Sequence, residues 1–225
     1  MIKISNLKKT FIKDDNKIDV LKGLDLEIDR GESLAILGVS GAGKSTLLHI
    51  LGALDHPTSG TLTYNDVNVF NWNEKKLAEF RNKKIGFVFQ SHHLMPEFNS
   101  MENTMMPALI NGISKQDARK RAEIILNEVG LGDRVTHKPG ELSGGEQQRV
   151  AVARALIMEP EIILADEPTG NLDRSTGKKV EDILVNLNRT RNITLVVVTH
   201  NRQLADRMSR VTGLRDGKIY MEVQG

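Results

Sequence analysis

Cysteine is absent from the 225 residues, which excludes disulfides and thiolate metal sites and is compatible with a reducing compartment. A charge bias of one sign is also missing. Lys plus Arg number 31 against 29 Asp plus Glu, a formal net charge of +2, so the one-sided basic balance of a nucleic-acid binder is not there and no nucleic-acid partner is expected. The opening "MIKISNLKKTF" lacks the apolar core of a signal peptide, and no run approaches the ~20 apolar residues that span a bilayer. The chain is therefore not expected to cross a membrane alone. No internal repeat or low-complexity tract interrupts it. With 39% hydrophobic and 27% charged residues, it suits one large domain, or a domain carrying a smaller subdomain.

The order of the segments is informative. Alternating "LDLEI" (residues 24–28) predicts a half-exposed strand of an antiparallel layer, while "SLAIL", "IGFVF", "IILA" and "TLVVV" read as buried parallel strands. Val180, Ile183, Leu184 and Leu187 recur at i, i+3, i+4 and i+7 and predict one buried helix face. Ser114 and Asp117 start another helix, with a stripe of Ala118, Ala122, Ile125, Leu126 and Val129 that Gly130 stops. "LRDGKIY" predicts a hairpin turn at Asp216 and Gly217. Strands alternating with helices argue for an α/β core with a parallel sheet and an antiparallel β layer. We expect one domain over residues 1–225: a core of residues 1–90 and 159–225, and a helical subdomain of residues 91–158.

"GVSGAGKST" (residues 38–46) fits G-x-x-x-x-G-K-[ST] and lies between a predicted strand and an apolar helical pattern. Gly38, Gly41 and Gly43 let the backbone curl through Val39, Ser40 and Ala42 so that successive N–H groups point inward, and the helix beginning near Thr46 adds its positive end. Phosphate oxygens suit such a cradle. Lys44 can reach β- and γ-phosphates, and Ser45 can ligate Mg²⁺. The alternative is a plain glycine-rich turn. Downstream, "IILADE" ends an apolar strand in Asp166 and Glu167, which need a partner. Mg²⁺ held by Asp166, with Glu167 as general base for the attacking water, satisfies that need; an acidic turn before Pro168 is the competing reading. His200, just past "TLVVV", either contacts the γ-phosphate or water, or is satisfied locally.

"LSGGEQQRVAVARAL" (residues 142–156) resembles the signature motif of ATP-binding cassette proteins, and the resemblance runs the whole length of the chain. Ser143, Gly144 and Gly145 open a helix as a second anion site. The resemblance implies that the signature of one subunit closes over ATP held by the other, giving a homodimer with two ATP at its interface. It further implies that Phe11 stacks on adenine in place of the commoner Tyr, that Gln90 joins Ser45 at Mg²⁺ and senses the γ-phosphate, that His200 is the switch histidine, and that Asp173 contacts the partner's site. ATPase competence follows from the intact Glu167. About a hundred residues separate cradle and signature without sustained heptads, unlike the coiled-coil heads of chromosome-maintenance relatives.

"QSHHLMPEF" (residues 90–98) carries two adjacent histidines. Adjacent side chains project differently and no Cys, Asp or third His lies at a chelating spacing nearby, so a zinc site is not expected. After Gln90, the residues His92, His93, Leu94, Pro96, Glu97 and Phe98 resemble lipoprotein-releasing ATPases of the LolD type; Ser91 departs from their usual aromatic. That resemblance implies an ATP-hydrolysing subunit at the cytoplasmic face of a bacterial inner membrane, bound to transmembrane permease subunits through residues 92–98 and powering lipoprotein release. "EPTGNLD" is shared with macrolide-efflux and FtsE-type cassettes, which stand as alternatives. Leu94, Met95 and Phe98 could equally cap the helical core.

Overall fold

A computed structural model describes residues 1–14 and 16–221. The chain opens with a hairpin of β1 (Ile2–Lys13) and β2 (Asn16–Ile28) and continues into β3 (Ser33–Leu37), which is buried at every position. Side-chain period explains the contrast. In β2, Leu24, Leu26 and Ile28 are buried while Asp25 and Glu27 face water, as a one-sided strand requires. Then come α1 (Lys44–Leu51), β4 (Ser59–Tyr64), β5 (Val67–Asn68), α2 (Glu74–Lys84) and β6 (Ile85–Phe89). Three helices follow, α3 (Ser100–Ile110), α4 (Lys115–Glu128) and α5 (Gly144–Leu156). The chain ends with β7 (Ile162–Asp166), α6 (Arg174–Arg191), β8 (Thr194–Thr199), α7 (Arg202–Ala205), β9 (Arg210–Arg215) and β10 (Lys218–Met221).

Two sheets result. The antiparallel one has the order β2-β1-β4-β5, and the larger one β10-β9-β3-β8-β7-β6. In the larger sheet every neighbouring pair is parallel except β9 with β10. That exception turns at Asp216 and Gly217, with φ of 49° and 73°, the two left-handed residues a tight hairpin needs. Alternate residues of the buried strands serve two cores: Ala35, Leu37, Leu195 and Val197 face the helical side, while Leu34, Ile36, Val196 and Val198 face α1 and the antiparallel layer. Each fully buried Leu or Val in them contributes about 1.5–3 kcal/mol.

Helix boundaries follow from caps. Ser114 accepts the Asp117 N–H at the start of α4, and Gly130, at φ 72°, follows its end. In α6, Val180, Leu184 and Leu187 are buried, with Ile183 packed at the margin. Helix α2 has no readable stripe: Leu77 is its one buried residue, and its start is fixed by Asn73 accepting the Lys76 N–H. Among the described residues no helix is long and apolar enough to cross a membrane.

Register brings the functional ends together. Leu37 pairs with Thr199, Asp166 with Val198, and Phe89 with Asp166. The glycine loop, Gln90, Glu167 and His200 therefore leave the sheet along one carboxyl edge, where open parallel sheets form their ligand crevices.

Candidate functional site

At that edge a cleft of about 700 Å³ is lined by Ser40, Gly41, Gly43, Lys44, Ser45 and Thr46 from the glycine loop, and by Gln90, Asp166, Glu167 and His200 from the neighbouring strand ends. Gly41 and Gly43 have φ of 79° and 99°, a backbone that favours glycine. Gly43 caps α1 without a side-chain hydrogen bond, and no acidic residue lies in the first turn. The helix start thus offers unshielded N–H donors to an anion. Gly38 and Val39 supply backbone: Lys44 Nζ donates to their carbonyls at 2.8 and 3.2 Å. Ala42 is buried beneath the loop. Val20, on β2, also lines the cleft; its place in an alternating strand gave no hint of this.

Of the acidic pair, Asp166 is the last residue of β7 and Glu167 follows it. Glu167 sits at φ 44°, just beyond β7, with its N–H donating to Val198 O at 2.9 Å. Its Oε2 accepts Thr199 Oγ1 at 2.9 Å and the His200 N–H at 3.2 Å; its Oε1 lies 2.9 Å from His200 Nδ1 and 3.8 Å from Lys44 Nζ. The carboxylate is thus fixed by three groups and faces a nearly buried ammonium. Thr199 is a member that sequence reasoning missed, although it stands within "VTH". His200 lies on Glu167 in this arrangement, and its ring is largely exposed.

Ser45, Gln90 and Asp166 all line the same cleft, so the three oxygen-bearing side chains expected at Mg²⁺ come together. Gln90 donates its Nε2 to Asn171 Oδ1 at 2.8 Å, and Asn171 Nδ2 returns a bond to Gln90 O at 3.3 Å. That exchange fixes the amide so that Oε1, the atom a hard cation would take, is left over. The donor set fits a divalent ion that prefers oxygen.

The other predicted residues lie apart. Phe11, 42% exposed on β1 opposite Ile18, is not among the cleft-lining residues and has Lys9 Nζ 4.8 Å above its ring. Ser143 caps α5: its Oγ receives the Glu146 N–H and donates to Glu146 Oε2, while Glu146 Oε2 also accepts the Ser143 N–H at 2.8 Å. Those bonds, the Ser143 backbone first, hold the Glu146 carboxyl below its usual range. Gly145 is needed for contact: a Cβ there would lie 1.9 Å from Thr176 Cγ2. Asp173 caps α6, accepting the Ser175 and Thr176 N–H groups at 3.0 and 3.1 Å. Hydrogen bonds from the Thr176 and Ser175 side chains hold it far below the normal carboxylate range.

Residues 92–98 form a loop fastened from two helices. On α5, Arg154 donates to His93 O at 2.5 Å and His92 O at 2.8 Å. On α3, buried Asn103 accepts the Met95 N–H and donates to the carbonyls of Met95, Phe98 and Asn99. Leu94 packs against the helical core while Met95 is 45% exposed. Beside this loop runs an apolar groove of about 380 Å³ with Leu54, Phe87, Phe89, Ile110 and Met158 in its walls and Arg154 at its edge.

A parallel sheet with a glycine cradle, an acidic strand end beside it and a separate serine-glycine helix start define a P-loop nucleoside triphosphatase of the ATP-binding cassette class. The family model "ABC transporter" matches residues 21–170. The "Lipoprotein-releasing system ATP-binding protein LolD" of Syntrophus aciditrophicus (strain SB) is 71% identical over 97% of this chain and 98% of its own length. The protein of the same name from Legionella pneumophila (strain Lens) is 51% identical over 95% and 94%. Among solved structures, the dimeric bacterial ABC transporter cassette MJ0796 superposes with a TM-score of 0.92 at 41% identity, covering both chains fully. A post-hydrolysis state of that cassette bound to ADP and Pi gives the same TM-score. The chain belongs to the ABC transporter family and, within it, to the LolD type of ATP-binding subunit. It is an ABC ATPase. The resemblance drawn from the signature and from residues 92–98 is borne out.

Proposed function

We propose that this chain hydrolyses MgATP at the interface of a twofold homodimer, at the cytoplasmic face of a bacterial inner membrane, and that the cycle drives release of lipoproteins by transmembrane partner subunits. The observation that carries the catalytic part is the Glu167 carboxylate, held by Thr199 and His200 beside Lys44 at the rim of the glycine cradle. Lipoprotein as the cargo is supported by the names of the relatives.

In this reading the loop N–H groups of residues 38–46 hold the phosphates, and Lys44 turns from the Gly38 and Val39 carbonyls to the β- and γ-phosphates. Ser45, Gln90 and Asp166 would hold Mg²⁺, which would offset phosphate charge there. Water attacks the γ-phosphorus, its proton passes to Glu167, and the bond from γ-phosphorus to the β,γ-bridging oxygen breaks to leave ADP and phosphate. His200 holds Glu167 in line. Phe11 stacks on the adenine. Ser143, Gly144 and Gly145 of one protomer close over the ATP of its partner, with Asp173 at that same junction.

Residues 91–158 act as a helical subdomain on the core of residues 1–90 and 159–225. The loop of residues 92–98 and the apolar groove beside it receive a short segment of the membrane subunits. Light scattering of the Glu167→Gln protein with MgATP tests the dimer. A stable dimer is expected, and a monomer at saturating nucleotide overturns it. Copurification of the membrane subunits from the native source tests the task, since efflux or division partners would overturn lipoprotein release.

A further inference from the structure

Helix α5 carries one polar side chain where its pattern calls for an apolar one. Gln148 is 1% exposed, among buried Gly145, Val150, Ala151 and Val152. Its Nε2 donates twice, to Phe89 O at 3.0 Å and to Pro168 O at 2.7 Å. Its Oε1 is buried and makes no hydrogen bond. A buried amide oxygen left unpaired is a cost, so the side chain is suited to this place by its two N–H donors.

The two carbonyls belong to particular chain segments. The β6–β7 ladder ends at the pair Phe89 and Asp166, after which the two chains diverge, one into Gln90 and the other through Glu167 to Pro168. Gln148 supplies the next rung across that gap from a third element. Beyond it, Gln90 and Asn171 exchange hydrogen bonds. Thus two of the segments that carry cleft residues are tied to one point on α5. The same helix is seated at its start by Gly145 against Thr176, and near its end Arg154 holds the carbonyls of His92 and His93.

We infer that Gln148 is a positioning residue: it ties the signature helix to the exits of β6 and β7, so that the attitude of α5 sets where Gln90 and Glu167 stand relative to the bound nucleotide. The inference rests on the roles proposed above for those two residues. Gln148 is not among the cleft-lining residues, and its loss acts on turnover, leaving the glycine cradle intact.

The test compares Gln148→Met, Gln148→Glu and Gln148→His with the unaltered protein, reading steady-state ATP hydrolysis, ATP affinity by titration of a fluorescent ATP analogue, and thermal midpoint. Gln148→Met keeps the length without donors, Gln148→Glu puts oxygens against two carbonyls, and Gln148→His restores one donor at Nε2. The expected result is a kcat at least ~10-fold lower for Met and Glu, nucleotide affinity within ~3-fold, and partial recovery of kcat with His. A kcat within ~2-fold of the unaltered protein overturns the inference, as does a fall in which kcat, affinity and thermal midpoint drop together with no recovery by His. If Gln148→Met does not fold, the Glu and His pair decides. Glu167→Gln measured alongside reports separately on the base: rapid hydrolysis there fails that assignment, whereas Gln148 fails on its own kcat.

Discussion

Glu167 and His200 meet at 2.9 Å across the ends of β7 and β8, and the same carboxylate lies 3.8 Å from Lys44 Nζ. Glu167 reaches this position with a left-handed backbone, φ 44°, which costs about 1–3 kcal/mol in a non-glycine residue and must be held by its surroundings. Replacing the proposed base while keeping its shape isolates the chemistry. Glu167→Gln should lower kcat by roughly 10²- to 10⁴-fold, about 3 to 5 kcal/mol of barrier, with ATP still bound. Phosphate release under saturating MgATP is the measurement, and near-normal turnover would sink the assignment. His200→Ala, which removes a group that orients Glu167, should lower kcat by at least ~10-fold.

The start of α5 packs so closely on α6 that a Cβ at Gly145 would lie 1.9 Å from Thr176 Cγ2. Threonine is β-branched and stiff, so it cannot fold away. Gly145→Ala should therefore destabilise the protein by about 1–3 kcal/mol through overpacking. Thr176→Ser deletes the clashing methyl, and the double variant should recover most of that loss. Denaturant unfolding of the two singles and the double measures the coupling; additive losses would show that the contact is not the cause.

Strands and motifs were legible because each is local. The buried runs, the one-sided "LDLEI" and the Asp216-Gly217 turn depend on side-chain period and left-handed φ, both visible in order of residues. Helix α2 was not, since one buried leucine gives no stripe. At the site, the cradle could be read because "GVSGAGKST" is contiguous, whereas Val20, Thr199 on Glu167 and Asn171 on Gln90 are matters of register between strands and loops. The same limit applied to "HHLMPEF". Its residues suggested either a socket or a core cap, and the fold divides them, with Leu94 against the core and Met95 exposed. Arg154 and Asn103, which fasten the loop, lie 62 and 8 residues away from what they hold.

The groove beside that loop predicts a separation of assembly from hydrolysis. Ile110 lines it and is 72% exposed in the chain, so a charge there costs the isolated protein little. Placed under an apolar partner segment, the same charge would be buried unpaired. Ile110→Asp should reduce copurification of the membrane subunits by at least ~10-fold while leaving the cassette's own hydrolysis within ~2-fold. Phe98→Ala should act in the same direction. Equal losses of assembly and of isolated hydrolysis would instead assign these side chains to core packing.

His92 makes stability depend on pH. Burial disfavours its imidazolium, the charges of His93 and Arg154 act the same way, and a hydrogen bond with the Gly144 backbone opposes them; the net direction is downward. Its Nε2 is buried without a hydrogen-bond partner, so the neutral ring is the form that fits. A histidine whose folded pKa lies below its unfolded one binds protons more readily when unfolded. Stability is then full above the unfolded value, ordinarily about 6.5, and falls as pH drops below it until the folded value is passed. Thermal midpoints measured from neutral pH down through that window should decline more steeply for the unaltered chain than for His92→Gln, which cannot take up the proton. Parallel declines in the two proteins would show that the loss arises elsewhere.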